Sequence, residues 1–382
     1  MSVYLDYNAS SPIDHRVLDY MNECYLNSYG NADSRTHNYG ENARVRVEDA
    51  RKSLSKLLNV KTSEIIFTSG ATESNNIAVL GLEEYALKTN KKHIITTSME
   101  HKAILEAVKH LENNGFEVDF VDPDSNGRIN TEDVINKVRS DTLLVSVMHV
   151  NNETGVIQPV KEIGEYLKGT DVYFHIDATQ SCGKLVEEIQ SLTYDMMSIS
   201  SHKMAGPQGV GALILKKRNY KSLPIKPIMF GGPQEKGIRP GTLPTALIAG
   251  FGKAAELSFL EYKDTQLLCE QIKTVILKLL KDSKLEYVIN GDLNYSIGNT
   301  LNVSILGVSS EALMISSKQY CAVSNGSACN SKSYSASHVL TAMHLDEDRL
   351  NSAIRISWGK FSDIELIKNE FESFLKIAKT FI

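Results

Sequence analysis

The sequence predicts an α/β fold, with a large unit on a mostly parallel sheet and a second, smaller α+β unit. Three observations carry this. Between residues 64 and 216, short runs rich in β-branched and apolar residues alternate with helical patterns, the arrangement that gives parallel strands covered by helices. Those runs are nearly continuous in Val, Ile, Leu and Phe, as expected of strands buried on both faces. Near residue 245 the texture changes, and a long helical stretch leads into isolated strands.

The elements follow in order. YLDYNASSP opens the chain as a loop, and residues up to about 60 then read as helical, packing on one of the two units. EIIF (64–67) begins the sheet and is followed by the helical TESNNIAVLGLEEYAL; HIITT (93–97) leads to KAILEAVKHLENN and then to VDFV (118–121). TLLVSVMHV (142–150), VYFHID (172–177), MMSIS (196–200) and GALIL (211–215) complete it. Two helical stretches, TALIAGFGKAAELSFLEYK and TQLLCEQIKTVILKLLK, reach the smaller unit. Its expected strands are TLNVSIL (300–306), CAVSN (321–325) and AIRISW (353–358), closed by the helix IELIKNEFESFLKIAKTF. The expected division is residues 15–245 for the large unit, and residues 1–14 with 246–382 for the small one.

Composition narrows the classes. The 382 residues are 42% hydrophobic and 23% charged, with a formal net charge of -5, ordinary for a globular protein with a large core. A mildly acidic chain lacks the basic footprint of nucleic-acid binding. No apolar run is long enough to span a membrane, and MSVYLDYNASSPID lacks a basic-then-apolar leader pattern. A cytoplasmic protein without direct nucleic-acid or membrane partners is expected. Cys24, Cys182, Cys269, Cys321 and Cys329 are odd in number and scattered, with no CxxC pair, which fits neither a disulfide framework nor a zinc site. No metal is expected.

In an open parallel sheet, ligands bind beyond the carboxyl ends of the strands, so the loops there matter most. After EIIF, TSGATESNN brings Gly70, Ala71 and Thr72 to a helix start, which reads either as a phosphate site or as a simple hydroxyl cap. After HIITT, SMEHKAIL puts His101 at a helix start, as a cap or as a functional imidazole. NNETG crowds Asn151, Asn152 and Glu153, a pattern often only a turn. Asp177 ends an otherwise buried strand and needs a charged or hydrogen-bonding partner there. Lys203 follows MMSIS in SSHKMAGPQGVG. Pyridoxal phosphate requires this combination of a Schiff-base lysine for its aldehyde, an acid for its pyridine nitrogen and an anion site for its phosphate. GPQGVG looks like a nicotinamide-binding glycine fingerprint, but it precedes a strand where that motif demands a helix.

YLDYNASSP, TSGATESNN, EHKAIL, HVNNETG, DATQS, SSHKMAGPQGVGAL, RPGTLP, SNGSACNS and IRISWGKF together resemble the cysteine desulfurases of the NifS/IscS type. These belong to the fold-type I, class-V aminotransferase-like pyridoxal-phosphate enzymes. The resemblance implies a pyridoxal 5'-phosphate cofactor attached to Lys203, with Asp177 on the pyridine nitrogen and His101 stacked on the ring and moving protons. Gln180 and Asn152 would reach the ring oxygen and substrate side, and Ala71, Thr72, Ser200 and His202 the phosphate. It further implies Thr242 reaching the phosphate of the other subunit of a homodimer, Arg355 gripping the substrate carboxylate, and Asn31 as a substrate contact. NASSP replaces the family's usual threonine pair, and GNADSRTH lacks the proline common after its Asn.

Cysteines are usually buried and inert, which is expected of Cys24, Cys182, Cys269 and Cys321. Cys329 differs, because SNGSACNSKSYSASH (324–338) offers few side chains to anchor it, and an exposed, mobile thiol suits a nucleophile. The family's similar loop makes it the residue that takes sulfur from L-cysteine as a persulfide, releasing L-alanine. A sulfur-acceptor protein would receive it, for iron–sulfur cluster assembly or for tRNA or DNA sulfur modification (phosphorothioation). Two other readings share these residues: another pyridoxal-phosphate reaction, such as selenocysteine lyase, that does not need Cys329, and an inactive dimeric partner of sulfur-transfer proteins.

Overall fold

Seven parallel and antiparallel strands in one sheet, flanked by helices, hold the middle of the chain in a computed structural model that describes residues 2–218, 220–325 and 337–382. The strands of the described residues, in chain order, are β1 (Val3–Tyr4), β2 (Ile65–Thr68), β3 (His93–Thr97), β4 (Glu117–Val121), β5 (Thr142–Met148) and β6 (Tyr173–Asp177). They continue with β7 (Met196–Ser200), β8 (Gly211–Leu215), β9 (Tyr287–Ile289), β10 (Thr300–Ile305), β11 (Cys321–Ala322) and β12 (Ala353–Ser357). The large sheet has the order β2-β8-β7-β6-β5-β3-β4. Strands β3 to β7 pair in parallel, while β8 runs antiparallel to both β7 and β2. All seven sequence runs expected to form this sheet do so, and the sheet is mostly parallel as expected.

The expectation that every run is buried on both faces fails at β4. Glu117 and Phe120 are exposed there, because β4 is the sheet's last strand, with a neighbour on only one side. The inner strands β5, β6 and β7 are buried throughout.

The smaller unit carries an antiparallel sheet of order β12-β10-β9 and a parallel pair of β1 with β11. CAVSN is a strand only at Cys321–Ala322, and Ser324 makes an isolated bridge to Arg355. Strands β1 and β9 are additions to the sequence expectation. Val3 and Leu5 from the N-terminus are buried in the same apolar cluster as Ile272, Ile276, Leu301, Ile354, Trp358 and Phe371, so the first strand sits with the small unit.

The two helical stretches after residue 245 form one helix, Thr245–Ser283, of 39 residues, about 58 Å long at 1.5 Å per residue. No proline or glycine lies between Lys253 and Ser283 to interrupt it. Ile248, Phe251, Ala254 and Leu257 pack in the core of the large sheet. Cys269, Ile272, Ile276 and Leu280 pack in that of the small one. One rod therefore runs through both cores. Helices His15–Asn27 and Asn38–Leu58 lie against it, the first capped by the Asp14 side chain and the second ending at Asn59 in the left-handed conformation (φ 53°).

Gly252 is the closest approach in this packing, since a Cβ there would stand 2.4 Å from Ala50 Cα and 2.5 Å from its Cβ. In a helix interior Gly→Ala ordinarily gains ~1 kcal/mol, but forcing the helices apart costs more. Gly252→Ala is expected to destabilise the protein by ~1–3 kcal/mol, read as a lower urea midpoint.

Candidate active site

Parallel strands β3, β5, β6 and β7 end at the same edge of the sheet, so the loops after them share one region. Lys203 ends the short turn Ser201–Lys203 that follows β7. Its Nζ donates to the carbonyl oxygens of Asn8 (2.5 Å) and Ala9 (2.6 Å). Burial pushes the amine down to about 7, helped by the charges of Lys184 and Arg355 and opposed by Asp6 and Asp177. Near neutral pH a large share of this lysine is therefore unprotonated and able to act as a nucleophile.

Asp177 is the last residue of β6 and only 6% exposed. The partner it needs is supplied by neutral groups: Asn75 Nδ2 donates to Oδ2 at 2.7 Å and the Thr179 amide to Oδ1 at 3.0 Å. None of the ion pairs among the described residues includes it.

His101 is the N-cap of helix Lys102–Asn113, its Nδ1 accepting from the Ala103 amide at 3.1 Å. The capping reading thus holds, and it coexists with a place in the site, because the imidazole is close enough to Asp177 and Lys203 to feel both charges. Burial lowers its pKa, with Lys203 adding and Asp177 opposing. With Nδ1 accepting, a neutral ring carries its proton on Nε2.

The hydroxyl-cap reading of TSGATES does not hold. The N-cap of helix Ala71–Leu80 is Gly70, at φ 156°, ψ 177°, and no side chain caps the helix; that backbone conformation is essentially restricted to glycine. The first-turn amides of Ala71 and Thr72 are left for a ligand or solvent. A Cβ on Gly70 would lie 3.9 Å from Ser200 Oγ, which brings the end of β7 beside this helix start. Ser200 Oγ and His202 Nδ1 are 2.9 Å apart, and burial together with the Lys203 charge takes His202 down to about 4, leaving it neutral. Arg239 pairs with Glu73 in the first turn at 2.9 Å.

Arg355 on β12 is 5% exposed. Its Nη2 meets Asp6 Oδ1 at 2.7 Å, its Nη1 donates to the Asn152 carbonyl at 3.1 Å, and its buried Nε has no partner among the described residues. Asn151 forms the expected turn, its Oδ1 accepting from the amides of Glu153 and Thr154. Gln180 Nε2 donates to Asn8 O at 3.0 Å.

Lys203, Asp177, His101, Gln180, Asn152 and Arg355 are thus joined by contacts or by mutual charge, and Ala71, Thr72, Ser200 and His202 gather beside them. Thr242 lies apart on an exposed loop before helix Thr245–Ser283, and Asn31 in an exposed turn where its Oδ1 accepts from the Asp33 amide. No hydrogen bond among the described residues joins either to that group. Cys329 lies outside the described residues. The chain on either side of it is tied to the site: Ser324 exchanges backbone bonds with Arg355, Ser337 Oγ donates to Glu153 at 2.5 Å, and His338 Nε2 donates to the Glu100 carbonyl at 2.9 Å. The other four cysteines are buried and unpaired, as expected.

Asn8, Asn75 and Glu100 escaped the sequence reading. Asn8, 3% exposed, accepts from Lys203 and Gln180 and donates to Asn152 O (3.1 Å) and Thr300 Oγ1 (2.9 Å). Its place among polar residues after an aromatic, in YNASS, was the available signal. Glu100, fully buried, accepts from Thr97 Oγ1 and the Met148 amide, both at 2.8 Å.

A half-buried lysine and a buried carboxylate at adjacent strand ends, beside an uncapped helix start, define a fold-type I site for a phosphorylated aldehyde cofactor. The chain belongs to the aminotransferase class-V family, which it matches over residues 3–369, and that family depends on pyridoxal phosphate. It is 43% identical over 363 residues to the mitochondrial cysteine desulfurase of Saccharomyces cerevisiae, covering 95% of this chain and 72% of that one. A solved NifS-like protein superposes with TM-score 0.91 at 35% identity over 100% of both chains. DndA from Streptomyces lividans superposes with TM-score 0.81 at 43% identity, over 92% of this chain and 98% of that one.

Burial raises Glu100 from 4.5 to about 8. Between those values the folded chain keeps a proton that the unfolded chain has lost, so stability falls as pH rises through this window. Glu100→Gln keeps the accepting oxygen and removes the titration. Between about pH 5 and pH 8 its urea midpoint is expected to lose less, or gain more, than the parent's, the contribution of Glu153, which burial also raises, being common to both proteins.

Proposed function

We propose that this chain is a pyridoxal-phosphate-dependent cysteine desulfurase, converting L-cysteine to L-alanine and carrying the sulfur as a persulfide on Cys329. The observation that carries this is the pairing, at the ends of adjacent strands β6 and β7, of a carboxylate held only by neutral donors and a desolvated lysine amine. The named relatives supply the substrate class.

The residues fit the cofactor. Asp177, with no cation of its own, suits a protonated pyridine nitrogen, and the free amides of Ala71 and Thr72 with Ser200 and His202 suit a phosphate. Gln180, Asn152 and His101 would hold the ring. When bound, pyridoxal phosphate supplies an electron sink for bond cleavage at the substrate's α carbon.

The chain's own groups do the rest. Lys203, about half neutral near pH 7, accepts the α proton on Nζ. Arg355 offers its guanidinium to the substrate carboxylate, a pairing for which its fork is shaped. His101, with a proton on Nε2, relays protons near the two thiols. The Cys329 thiolate attacks the substrate sulfur; an S–S bond forms as the C–S bond breaks, and the carbon takes a proton and leaves as alanine. One thiol and one cysteine give one persulfide and one alanine, with no external oxidant. The anchoring of Ser324 on Arg355 and of Ser337 on Glu153 supports delivery of Cys329 to this place.

A homodimer belongs to the same proposal, with Thr242 reaching the phosphate of a second copy and Asn31 contacting substrate. Support comes from the exposure of Thr242 and of the apolar Ile228, Met229 and Phe230, the last 88% exposed. Two domains, with residues 1–14 joining the small one, a cytoplasmic location and a separate sulfur-acceptor protein complete it. Buried, unpaired cysteines fit a reducing compartment.

Purified protein incubated with L-cysteine and a thiol reductant is expected to yield alanine and sulfide in equal amounts. Cys329→Ala is expected to yield neither while keeping the yellow of bound cofactor. Colour without alanine, or full activity in the variant, would point instead to another pyridoxal-phosphate reaction.

A further inference from the structure

Behind Lys203, between the two cores, lies a cavity of about 290 Å³. Its wall includes Lys203 and Met204 from the turn after β7, Lys184 from the segment after β6, Cys269 from the long helix and Trp358 from the segment after β12. His101, Asp177 and Arg355 do not line it. Lys184 is the feature that the proposed reaction leaves unused. Its Nζ donates to Gln180 Oε1 at 3.3 Å, and no ion pair joins it to a carboxylate among the described residues. A desolvated amine without a counter-charge is costly.

We propose that Lys184 is a positioning residue for Lys203, acting through the amide of Gln180 and the carbonyl of Asn8. The chain of contacts is continuous: Lys184 Nζ donates to Gln180 Oε1, Gln180 Nε2 donates to Asn8 O at 3.0 Å, and Lys203 Nζ donates to that same oxygen at 2.5 Å. Lys184 fixes which way the Gln180 amide faces. Reversed, the amide would set its NH2 against the Lys184 donor and its oxygen against the Asn8 carbonyl, two repulsions in place of two bonds. The amide's donor end is therefore held toward Asn8 and Lys203. This rests on the proposed function only in taking Lys203 as the reactive amine.

The second contribution is electrostatic. The groups that face Lys203 are Lys184, Arg355, Asp6, Asp177 and the neutral rings of His101 and His202. Those that act on Lys184 are the thiols of Cys269 and Cys182. Burial takes Lys184 down to about 8 and Lys203 to about 7. Lys203 therefore loses its proton while Lys184 still holds one. The repulsion acts on Lys203, and by the time Lys184 titrates its neighbour is already neutral.

The test needs neither bound cofactor nor substrate. Full-length protein stripped of cofactor is labelled with trace acetic anhydride across a pH series, and labelling of both lysines is read by peptide mass spectrometry. In the parent, Lys203 is expected to titrate below Lys184. Lys184→Gln, which keeps a donor but loses the charge, is expected to raise the Lys203 midpoint by about one pH unit, cutting its labelling at pH 7 about fivefold. Lys184→Arg keeps charge and donor and should stay near the parent. An unmoved midpoint in Lys184→Gln, or an equal shift in Lys184→Arg, overturns the assignment. A parent in which Lys203 titrates above Lys184 overturns it without any variant, so the folding of the variants does not limit the test.

Discussion

A lysine amine taken out of water and held against two backbone carbonyls is the constraint around which this chain is arranged. An ammonium in that position loses much of its hydration and, among the described residues, gains only the Asn8 and Ala9 oxygens, so the neutral form is favoured. Those oxygens belong to the N-terminal loop, whose preceding strand β1 is paired in the small unit. Lys203 itself follows the central sheet. The same asparagine side chain bonds Thr300 in the small unit and Asn152 in the large one, and the Asn8 amide donates to Ser357 Oγ at 2.9 Å. Both cores and the N-terminus therefore meet at one residue, and placing the amine depends on all three.

The surrounding charges follow a consistent scheme. Two histidines, His101 and His202, are driven to the neutral state by burial and by Lys203. Asp177 accepts hydrogen bonds from the neutral donors Asn75 and the Thr179 amide. Arg355 meets a carboxylate, Asp6, and its buried Nε has no partner among the described residues. The result is a pocket that holds a carboxylate bonded to neutral donors, a helix start without a side-chain cap and an amine that burial shifts toward its neutral form.

Much of this was legible in the sequence because it is local. The apolar runs of β2, β3, β5, β6, β7 and β8 read directly as buried strands, and the loops at their ends exposed Lys203, Asp177, His101 and TSGATES by position alone. What did not show was set by distant parts of the chain. Asn8 matters through partners at Asn152, Lys203 and Thr300, and Asn75 through Asp177, 102 positions away; neither spacing has a periodic signature. Glu100 gave no local signal of its own, and the fold buries it under the Met148 amide. The edge position of β4 and the fusion of two helical stretches into Thr245–Ser283 likewise depend on neighbours supplied by tertiary packing. Thr242 and Asn31 were legible only through resemblance, and a single copy of the chain leaves both outside the cluster.

The central claim is that Lys203, and not the half-buried Lys184 that lines the same cavity, is the amine to which the cofactor attaches. Protein saturated with pyridoxal phosphate, reduced with borohydride and digested, would show which lysine carries the phosphopyridoxyl group. The account predicts the label on the peptide containing Lys203 and none on Lys184. Label on Lys184, or spread over surface lysines with Lys203 unmodified, would contradict it.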